Sequence, residues 1–211
     1  YASDATNPYS RVSELRELVD AAHGYGLGIL LDVVYNHMNG LTGSSFHKIL
    51  PGYYFRYNDK GEAYNGSGCG NDTASERNMV RKYIVDSILY WVEEYHIDGF
   101  RFDLMGLHDL ETMQNVESAV HTINPKALIY GEGWTMGATI DASKQANQSN
   151  IGEITPTGDA IGGIAVFNDA IRDGLKGSVF DAKSQGYISG AAKTNLTKVK
   201  FGINGGVGGG I

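Results

Sequence analysis

The order of hydrophobic and polar residues predicts an alternation of helices and short buried strands. Apolar residues recur with helical spacing in three segments, which run over 10–23, from Thr73 to Tyr95, and from Asp109 to the residue before Pro125. The second segment opens with a capping-box pattern, in which Thr73 is followed three residues later by Glu76. Asp109 is of a residue type that caps helices. The expected buried stripe of the second helix consists of Val80, Tyr83, Ile84, Ile88, Trp91, Val92 and Tyr95.

Short apolar runs lie between these helices and predict strands. The first run is almost continuously apolar, which is typical of a strand buried on both faces in a parallel sheet. The expected strands cover Leu27–Tyr35, Gly99–Asp103, Ala127–Glu132 and Ile161–Asn168. Because helices and strands alternate, the pattern indicates an α/β fold with a parallel sheet.

Three further parts of the chain have patterns that predict their structure less clearly. Residues 39–72 are rich in Gly, Tyr and Asn and have no period, and a structureless stretch of that length is usually functional. Short helices are expected over Ile171–Lys176 and Ala182–Thr194. The glycine-rich end, from Gly202 to Gly210, fits neither nucleotide-loop spacing and is expected to be a tail.

The strand Gly99–Asp103 carries the most distinctive chemistry. Side chains alternate between the faces of a strand, so Arg101 and Asp103 share one face while Phe100 and Phe102 share the other. A carboxylate at the end of a strand, with a cation two residues before it, is a candidate nucleophile, because the cation favours the reactive ionised form.

Polar groups also end the neighbouring strands. Asn36 and His37 follow the first strand, and Glu132 ends the third, as Asp103 ends the second. Polar residues at the carboxyl ends of parallel strands line the active face of barrel enzymes. One Asp and one Glu on neighbouring strands fit the carboxylate pair of a glycosidase. A single strand-end Asp can merely cap the next helix, but three such positions in succession make this structural interpretation the weaker one.

Composition narrows the function classes. The net charge of −7 argues against a nucleic-acid or anionic-membrane partner, since either needs a basic face. The 13 tyrosines suit sugar-like ligands, although tyrosine also packs ordinary cores. Cys69 is the only cysteine, so no internal disulfide can form and the redox compartment stays open. No transmembrane run and no signal peptide are expected, but the chain starts at Tyr1, so localisation stays open.

Three segments resemble successive signature regions of the alpha-amylase superfamily of glycoside hydrolases, in order and in spacing. They are Asp32–His37, Gly99–Asp103 and Tyr130–Trp134. Within this superfamily the chain is most similar to type I pullulanases, which cut α-1,6 branches. The features that favour this group are Leu104-Met105-Gly106, Gly133-Trp134, Pro51-Gly52-Tyr53-Tyr54 and the segment Asn65–Asp72.

The resemblance implies roles for individual residues. Asp103 would be the nucleophile and Glu132 the general acid/base of a retaining double displacement, and Arg101 would hold Asp103 ionised. His37 would hydrogen-bond the sugar at the cleavage point, and Trp134 would stack on the sugar beyond it. The expected substrate-binding residues are Tyr35, His37, Arg101 and Trp134. By residue type alone, His37 could also be a satisfied buried histidine and Trp134 a core residue.

The resemblance also implies a fold, namely the eight-stranded (β/α)8 TIM barrel. Such barrels need about 250 residues, and the four expected strands correspond to about strands three to six. The family's third carboxylate lies in a His-Asp-Asn context, which this sequence lacks, because His108-Asp109 is followed by Leu110. Residues 1–211 are therefore interpreted as an incomplete catalytic barrel domain with a long active-site loop over 39–72. We expect this segment alone to be inactive and poorly stable, because two sheet edges stay unpaired.

The implied substrate is an α-glucan polysaccharide. No cofactor is required and no metal site is expected, but calcium is left open, because Asn36 is a calcium-associated position in some members; Asp32 and Asn36 are otherwise expected to brace the barrel end. Asn168 and Asp169 are weaker site candidates. Five histidines without the spacing of metal ligands are expected to be structural: His23, His47, His96, His108 and His121.

The alternative functions are another enzyme of the superfamily (isoamylase-like, branching or α-1,4-cleaving) and a non-catalytic glucan-binding barrel. A nucleotide-binding α/β domain ranks last, because a phosphate loop is lacking.

Overall fold

The computed structural model describes residues 2–137, 140–158 and 163–206. Its helices are α1 (Pro8–Gly24), α2 (Ser45–Ile49), α3 (Asn78–Tyr95), α4 (Leu110–Ile123), α5 (Asp169–Lys176) and α6 (Ala192–Ile203). Its strands are β1 (Leu30–Val33), β2 (His37–Met38), β3 (Asn71–Asp72), β4 (Gly99–Phe102), β5 (Leu128–Gly131) and β6 (Ala165–Val166). These residues divide into two compact units, which meet in the chain between Val166 and Phe167 and are described here over 2–166, with the gaps just given, and over 167–206.

The first unit is built on a parallel sheet with the strand order β1-β4-β5-β6. Asp32, Arg101 and Tyr130 stand side by side across the first three strands. Because the strands are parallel, their carboxyl ends meet at one edge, and the segments that follow them lie close together. The sequence prediction of an α/β fold with a parallel sheet is confirmed.

One face of this sheet is buried. Phe100 and Phe102 are fully buried, and the apolar stripes of α3 and α4 complete the core. Burial of each large apolar side chain stabilises the fold by about 2 kcal/mol. The core residues contributed by the two helices are Val80, Ile84, Ile88, Val92, Tyr95, Met113, Val116 and Val120. From the predicted stripe of α3, Tyr83 is instead exposed and Trp91 only half-buried.

The other face of the sheet is open in the described residues. Leu30 is 39% exposed and Leu128 is 60% exposed, and Asp32 is exposed beside them. The prediction that the first strand is buried on both faces is therefore wrong. The strand is shorter than expected, and in the described chain it pairs on one side only, with β4.

The capping box predicted at the start of the second long helix is also wrong. The helix begins at Asn78, and its N-cap residue, Arg77, makes no side-chain capping bond. The hydroxyl of Thr73 donates instead to the carbonyl of Tyr35, and Glu76 binds the guanidinium of Arg56. Both side chains are used by contacts with distant residues, so the helix starts after them. Asp109, in contrast, caps α4 as expected, since its carboxylate accepts from the N–H of Thr112.

The second unit consists of α5, a short 3-10 turn at Tyr187–Ser189 and α6. The short helix expected near residue 171 is present as α5, but the helix expected over Ala182–Thr194 is wrong. Its apolar residues are too sparse to bury a face there, and the helix forms further along, where Gly202 lets α6 approach Ile171 closely. The glycine-rich end therefore begins inside α6, and residues beyond 206 lie outside the described part.

The remaining expectations are met in part. The fourth strand is reduced to Ala165–Val166, and Ile161, where it was expected to begin, lies outside the described residues. The long segment 39–72 contains α2 and ends in β3, which pairs antiparallel with β2, the strand directly before the segment. The single incomplete domain over 1–211 stays a prediction. Among the described residues no helix is long and apolar enough to cross a membrane.

Candidate active site

Three carboxylates converge on one guanidinium at the carboxyl edge of the parallel sheet. Nη1 of Arg101 lies 2.8 Å from Oδ1 of Asp32 and 3.3 Å from Oδ1 of Asp103. Nη2 of the same residue lies 2.7 Å from Oε1 of Glu132. Asp103 and Glu132 therefore face the same side of the sheet, on the segments that leave neighbouring strands.

The strand pattern explains this convergence. Arg101 stands two residues before Asp103 on one face of β4, and the sheet register sets it opposite Asp32. Burial works to lower the pKa of Arg101, but the hydrogen bond that it donates to Asp32 and the charges of Glu132 and Asp32 outweigh this effect, so the pKa is raised above its ordinary value. Arg101 is thus a permanent cation between the carboxylates.

Glu132 is held by the turn that follows Asp103. The backbone N–H of Leu104 donates to Oε2 of Glu132 over 3.0 Å, and the N–H of Gly106 donates to the Glu132 carbonyl over 3.0 Å. Leu104 has a φ of +40°, a left-handed conformation that is uncommon for a bulky side chain. Such strain is retained where the surrounding contacts enforce it, and it clusters at functional sites.

The segment after β1 holds Asp103 from the other side. Nδ2 of Asn36 lies 2.7 Å from the carbonyl oxygen of Asp103 and 3.0 Å from Oδ2. Oδ1 of Asn36 is hydrogen-bonded to Nδ1 of His37. His37 is thus joined to Asp103 through the Asn36 amide.

The other two expected substrate residues lie differently. The hydroxyl of Tyr35 is 2.7 Å from Oγ of Ser87 on α3, and its ring packs on Phe102 on the buried face. The structure therefore does not bring Tyr35 to the carboxylates, because alternation along the chain turns it toward the helices. Trp134 is half-buried two residues after Glu132, and its carbonyl oxygen lies against Gly106.

Arg56 anchors the long loop 39–72 to the same region. Its side chain is almost fully buried, and Nη1 donates to the carbonyl of Leu107 over 2.7 Å. Nη2 donates to Oε2 of Glu76 over 2.8 Å and to Oγ of Ser75 over 3.2 Å. A buried guanidinium thus joins the loop to the turn that holds Glu132.

Calcium binding at Asn36 stays a prediction. The side-chain oxygen of Asn36, the atom that could bind a cation, is used by His37, and the amide nitrogen faces Asp103. Across 2–137, 140–158 and 163–206 no group of three or more His, Cys, Asp or Glu side chains could hold a metal ion.

The remaining candidates have structural contacts. His23 pairs with Asp98, and His121 contacts Glu117. His108 is fully buried against the ring of Phe102. Asn168 caps α5 by accepting from the N–H of Ile171, and Asp169 is the first residue of that helix.

Sequence reasoning missed the roles of Leu104, Arg56 and the Asn36 amide. Nothing in the sequence indicates that an arginine inside a loop, such as Arg56, is buried. Nothing indicates either that a leucine, such as Leu104, has a positive φ. The adjacency of Asn36 to His37 was visible, but its contact with Asp103 depends on the sheet register.

The fold and the site place the chain among α/β proteins in which a parallel sheet carries an aspartate and a glutamate at its carboxyl edge. The proteins of this class to which the chain is similar are pullulanases. No protein-family model matches the chain. The pullulanase of Bacillus subtilis is 40% identical over 190 residues, which cover 90% of this chain and 26% of that protein.

Solved structures agree with this relationship. The pullulanase of an Anoxybacillus species, complexed with maltotetraose, is 43% identical with a TM-score of 0.89, covering 97% of this chain and 29% of that one. The pullulanase of Paenibacillus barengoltzii, in complex with maltohexaose and alpha-cyclodextrin, is 44% identical with a TM-score of 0.91, covering 99% of this chain and 31% of that one. The chain therefore spans between a quarter and a third of the length of these three relatives, and the predicted resemblance to pullulanases is confirmed.

Proposed function

We propose that this chain is a segment of a hydrolase that cleaves α-1,6-glucosidic branch linkages in glucans such as pullulan, amylopectin and glycogen. The observation that carries the proposal is the convergence of Asp103 and Glu132 on Arg101. It occurs in a chain about 40% identical to pullulanases, and solved relatives bind maltooligosaccharides. The proposed partner is therefore an α-glucan.

The proposed reaction is a double displacement with retention. A carboxylate oxygen of Asp103 attacks the anomeric carbon while Glu132 gives its proton to the departing glycosidic oxygen, so the glycosidic bond breaks and an ester to Asp103 forms. Glu132, now a carboxylate, takes a proton from water, and the resulting hydroxyl attacks the same carbon and releases Asp103. The two carboxylates supply nucleophile and proton, so the proposed reaction needs no cofactor.

Three residues are assigned to support this chemistry. Arg101 orients both carboxylates, because its guanidinium contacts each of them. His37, joined to Asp103 through Asn36, is proposed to hydrogen-bond the sugar at the cleavage point. Trp134 is proposed to stack on the neighbouring sugar.

We further propose that the sheet is part of a (β/α)8 barrel and contributes about its third to sixth strands. The uncovered inner face supports this, since Leu30, Leu128 and Asp32 are exposed there. In the described chain, β1 pairs only with β4 and β6 only with β5, so both sheet edges are available for further strands. The chain matches less than a third of the length of these pullulanases, and the unmatched part is long enough to contain the remaining strands and the third carboxylate.

Product analysis of pullulan digested by the full-length protein tests the linkage specificity. Release of maltotriose is expected, because pullulan joins maltotriose units through α-1,6 bonds. Panose-type products would indicate α-1,4 cleavage and overturn the specificity. Binding of the glucan without turnover would select the non-catalytic alternative.

A further inference from the structure

Both polar atoms of the Asn36 side chain form hydrogen bonds with other residues of the candidate site. Asn36 is 1% exposed and follows the carboxyl end of β1. Its backbone carbonyl accepts from the N–H of Thr73 over 3.0 Å, which fixes the main chain at this point. Each polar atom of its side chain then contacts a different residue of the site, His37 or Asp103.

The contact with the main chain of Asp103 settles the orientation of the amide. A backbone carbonyl oxygen can only accept a hydrogen bond, so the Asn36 atom 2.7 Å from it must be the NH₂ group. The same nitrogen lies 3.0 Å from Oδ2 of Asp103 and donates to it. The amide oxygen is therefore the atom that faces His37.

This orientation determines the tautomer of the neutral His37 ring. The Asn36 oxygen can only accept, so Nδ1 of His37 must carry the hydrogen that it receives. In a neutral imidazole the second nitrogen then has no hydrogen and is an acceptor. Neutral His37 therefore presents Nε2 as an acceptor for a sugar hydroxyl.

We infer that Asn36 is a positioning residue that holds the nucleophile and sets the tautomer of the sugar-binding histidine at the same time. Both carboxylate oxygens of Asp103 are then held, Oδ1 by Arg101 on β4 and Oδ2 by Asn36 on the segment that follows β1. The inference deepens the proposed function and rests on it, because it concerns the same reaction.

The substitution Asn36→Asp in the full-length protein tests the grip on Asp103. It keeps the shape and the acceptor for His37 but replaces the NH₂ donor with an oxygen that repels Asp103. We expect kcat on pullulan to fall by on the order of 100-fold, as when one preorganised donor is lost, while KM changes less than about threefold. A loss confined to KM would overturn the inference.

Asn71→Asp is the matched control. It is the same change on β3, where the side-chain nitrogen donates to the backbone carbonyls of Met38 and Asn39 rather than to a carboxylate. This variant is expected to keep kcat within about threefold of the unsubstituted enzyme. Equal losses in both variants would mean that added charge, not the lost donor, lowers the rate, and would overturn the inference.

Nitrogen NMR of the histidine-labelled, unsubstituted protein tests the tautomer without depending on a variant that folds. We expect the neutral His37 signal to show a protonated Nδ1 and an unprotonated Nε2. The opposite tautomer would overturn the inference.

Activity of two variants separates failure of the inference from failure of the proposed function. If Asp103→Asn stays active, the proposed function itself fails. If Asp103→Asn is inactive but Asn36→Asp keeps the kcat of the unsubstituted enzyme, only the inference about Asn36 fails.

Discussion

Single residues of the turn 104–107 set the position of Glu132. Leu104 donates its N–H to the carboxylate from a left-handed conformation, and Gly106 donates to the carbonyl of the same residue. Gly106 also lies against the Trp134 carbonyl, and a Cβ atom built on it would be 1.9 Å from that oxygen. The two residues that distinguish this segment in the sequence, Gly106 and Trp134, are thus in contact.

Substitution of Gly106 by alanine is expected to destabilise the protein by roughly 2 kcal/mol, because backbone must shift to admit the new methyl group. Activity on pullulan should also fall, since the same turn holds Glu132. Urea unfolding and a pullulan assay of the full-length protein check the two effects. Gly137→Ala is the control, because the nearest atom to its new Cβ is 3.9 Å away. Equal stability of the two variants would contradict the close contact at Gly106.

His108 makes stability depend on pH. Complete burial, with the charge of Arg56 adding to it, lowers the pKa of His108 from 6.5 to about 4. Between these values the unfolded chain binds a proton that the folded chain does not, so stability falls as the pH drops through this window and the effect is constant below it.

The free energy of unfolding of the full-length protein should fall between pH 7 and pH 5, and we expect this fall to be smaller by roughly 2 kcal/mol in His108→Leu. Urea unfolding at the two pH values measures this difference. His96→Asn, a change at an exposed histidine in a left-handed conformation that Asn tolerates, should leave the pH dependence unaltered. An unaltered pH dependence in His108→Leu would contradict the assignment.

The proximity of the two carboxylates could be predicted from the sequence, because it depends only on where each apolar strand ends. Asp103 and Glu132 each end an apolar run, and parallel strands bring such ends together. The bonds of Asn36 and the strain at Leu104 depend on the register and on the turn. Neither follows from residue type, so both became visible only in three dimensions.

At the scale of elements, the long helices and strands were predictable, but helix ends were less so. The stripe of α3 is long enough to set its buried face, and five of its seven predicted residues, Val80, Ile84, Ile88, Val92 and Tyr95, are buried. Its start was mispredicted because Thr73 and Glu76 bind Tyr35 and Arg56 instead of the helix N-terminus. Contacts between elements overrode a local capping pattern.

Arg56 connects two elements, the loop 39–72 and the turn before α4. Arg56→Met would leave the Leu107 carbonyl and the Glu76 carboxylate without their donor, so we expect a loss of about 2 kcal/mol or more in urea unfolding. Lys82→Met breaks an exposed ion pair with Asp86 and should cost less than 1 kcal/mol. Similar losses in both variants would contradict an anchoring role for Arg56.

At the scale of the whole molecule, the open sheet face governs how the chain behaves alone. Leu30 and Leu128 are exposed on that face, and further strands would cover them in a complete barrel. We expect the isolated 211-residue chain to bind a hydrophobic dye, to unfold without a cooperative transition and to leave pullulan intact. Cooperative unfolding together with pullulan cleavage would show that the chain is sufficient by itself.

The central claim is that Asp103 attacks the sugar while Glu132 supplies the proton. It is tested most directly by incubating the full-length protein with a fluorinated glucosyl inactivator, which allows the covalent intermediate to accumulate, and locating the label by peptide mass spectrometry. The account predicts a single glycosyl ester on Asp103, absent from the Asp103→Asn variant and longer-lived in Glu132→Gln, because the activated leaving group departs without an acid whereas hydrolysis of the ester needs Glu132 as the base. A label on another carboxylate, or an active Asp103→Asn variant that forms no label, would contradict it.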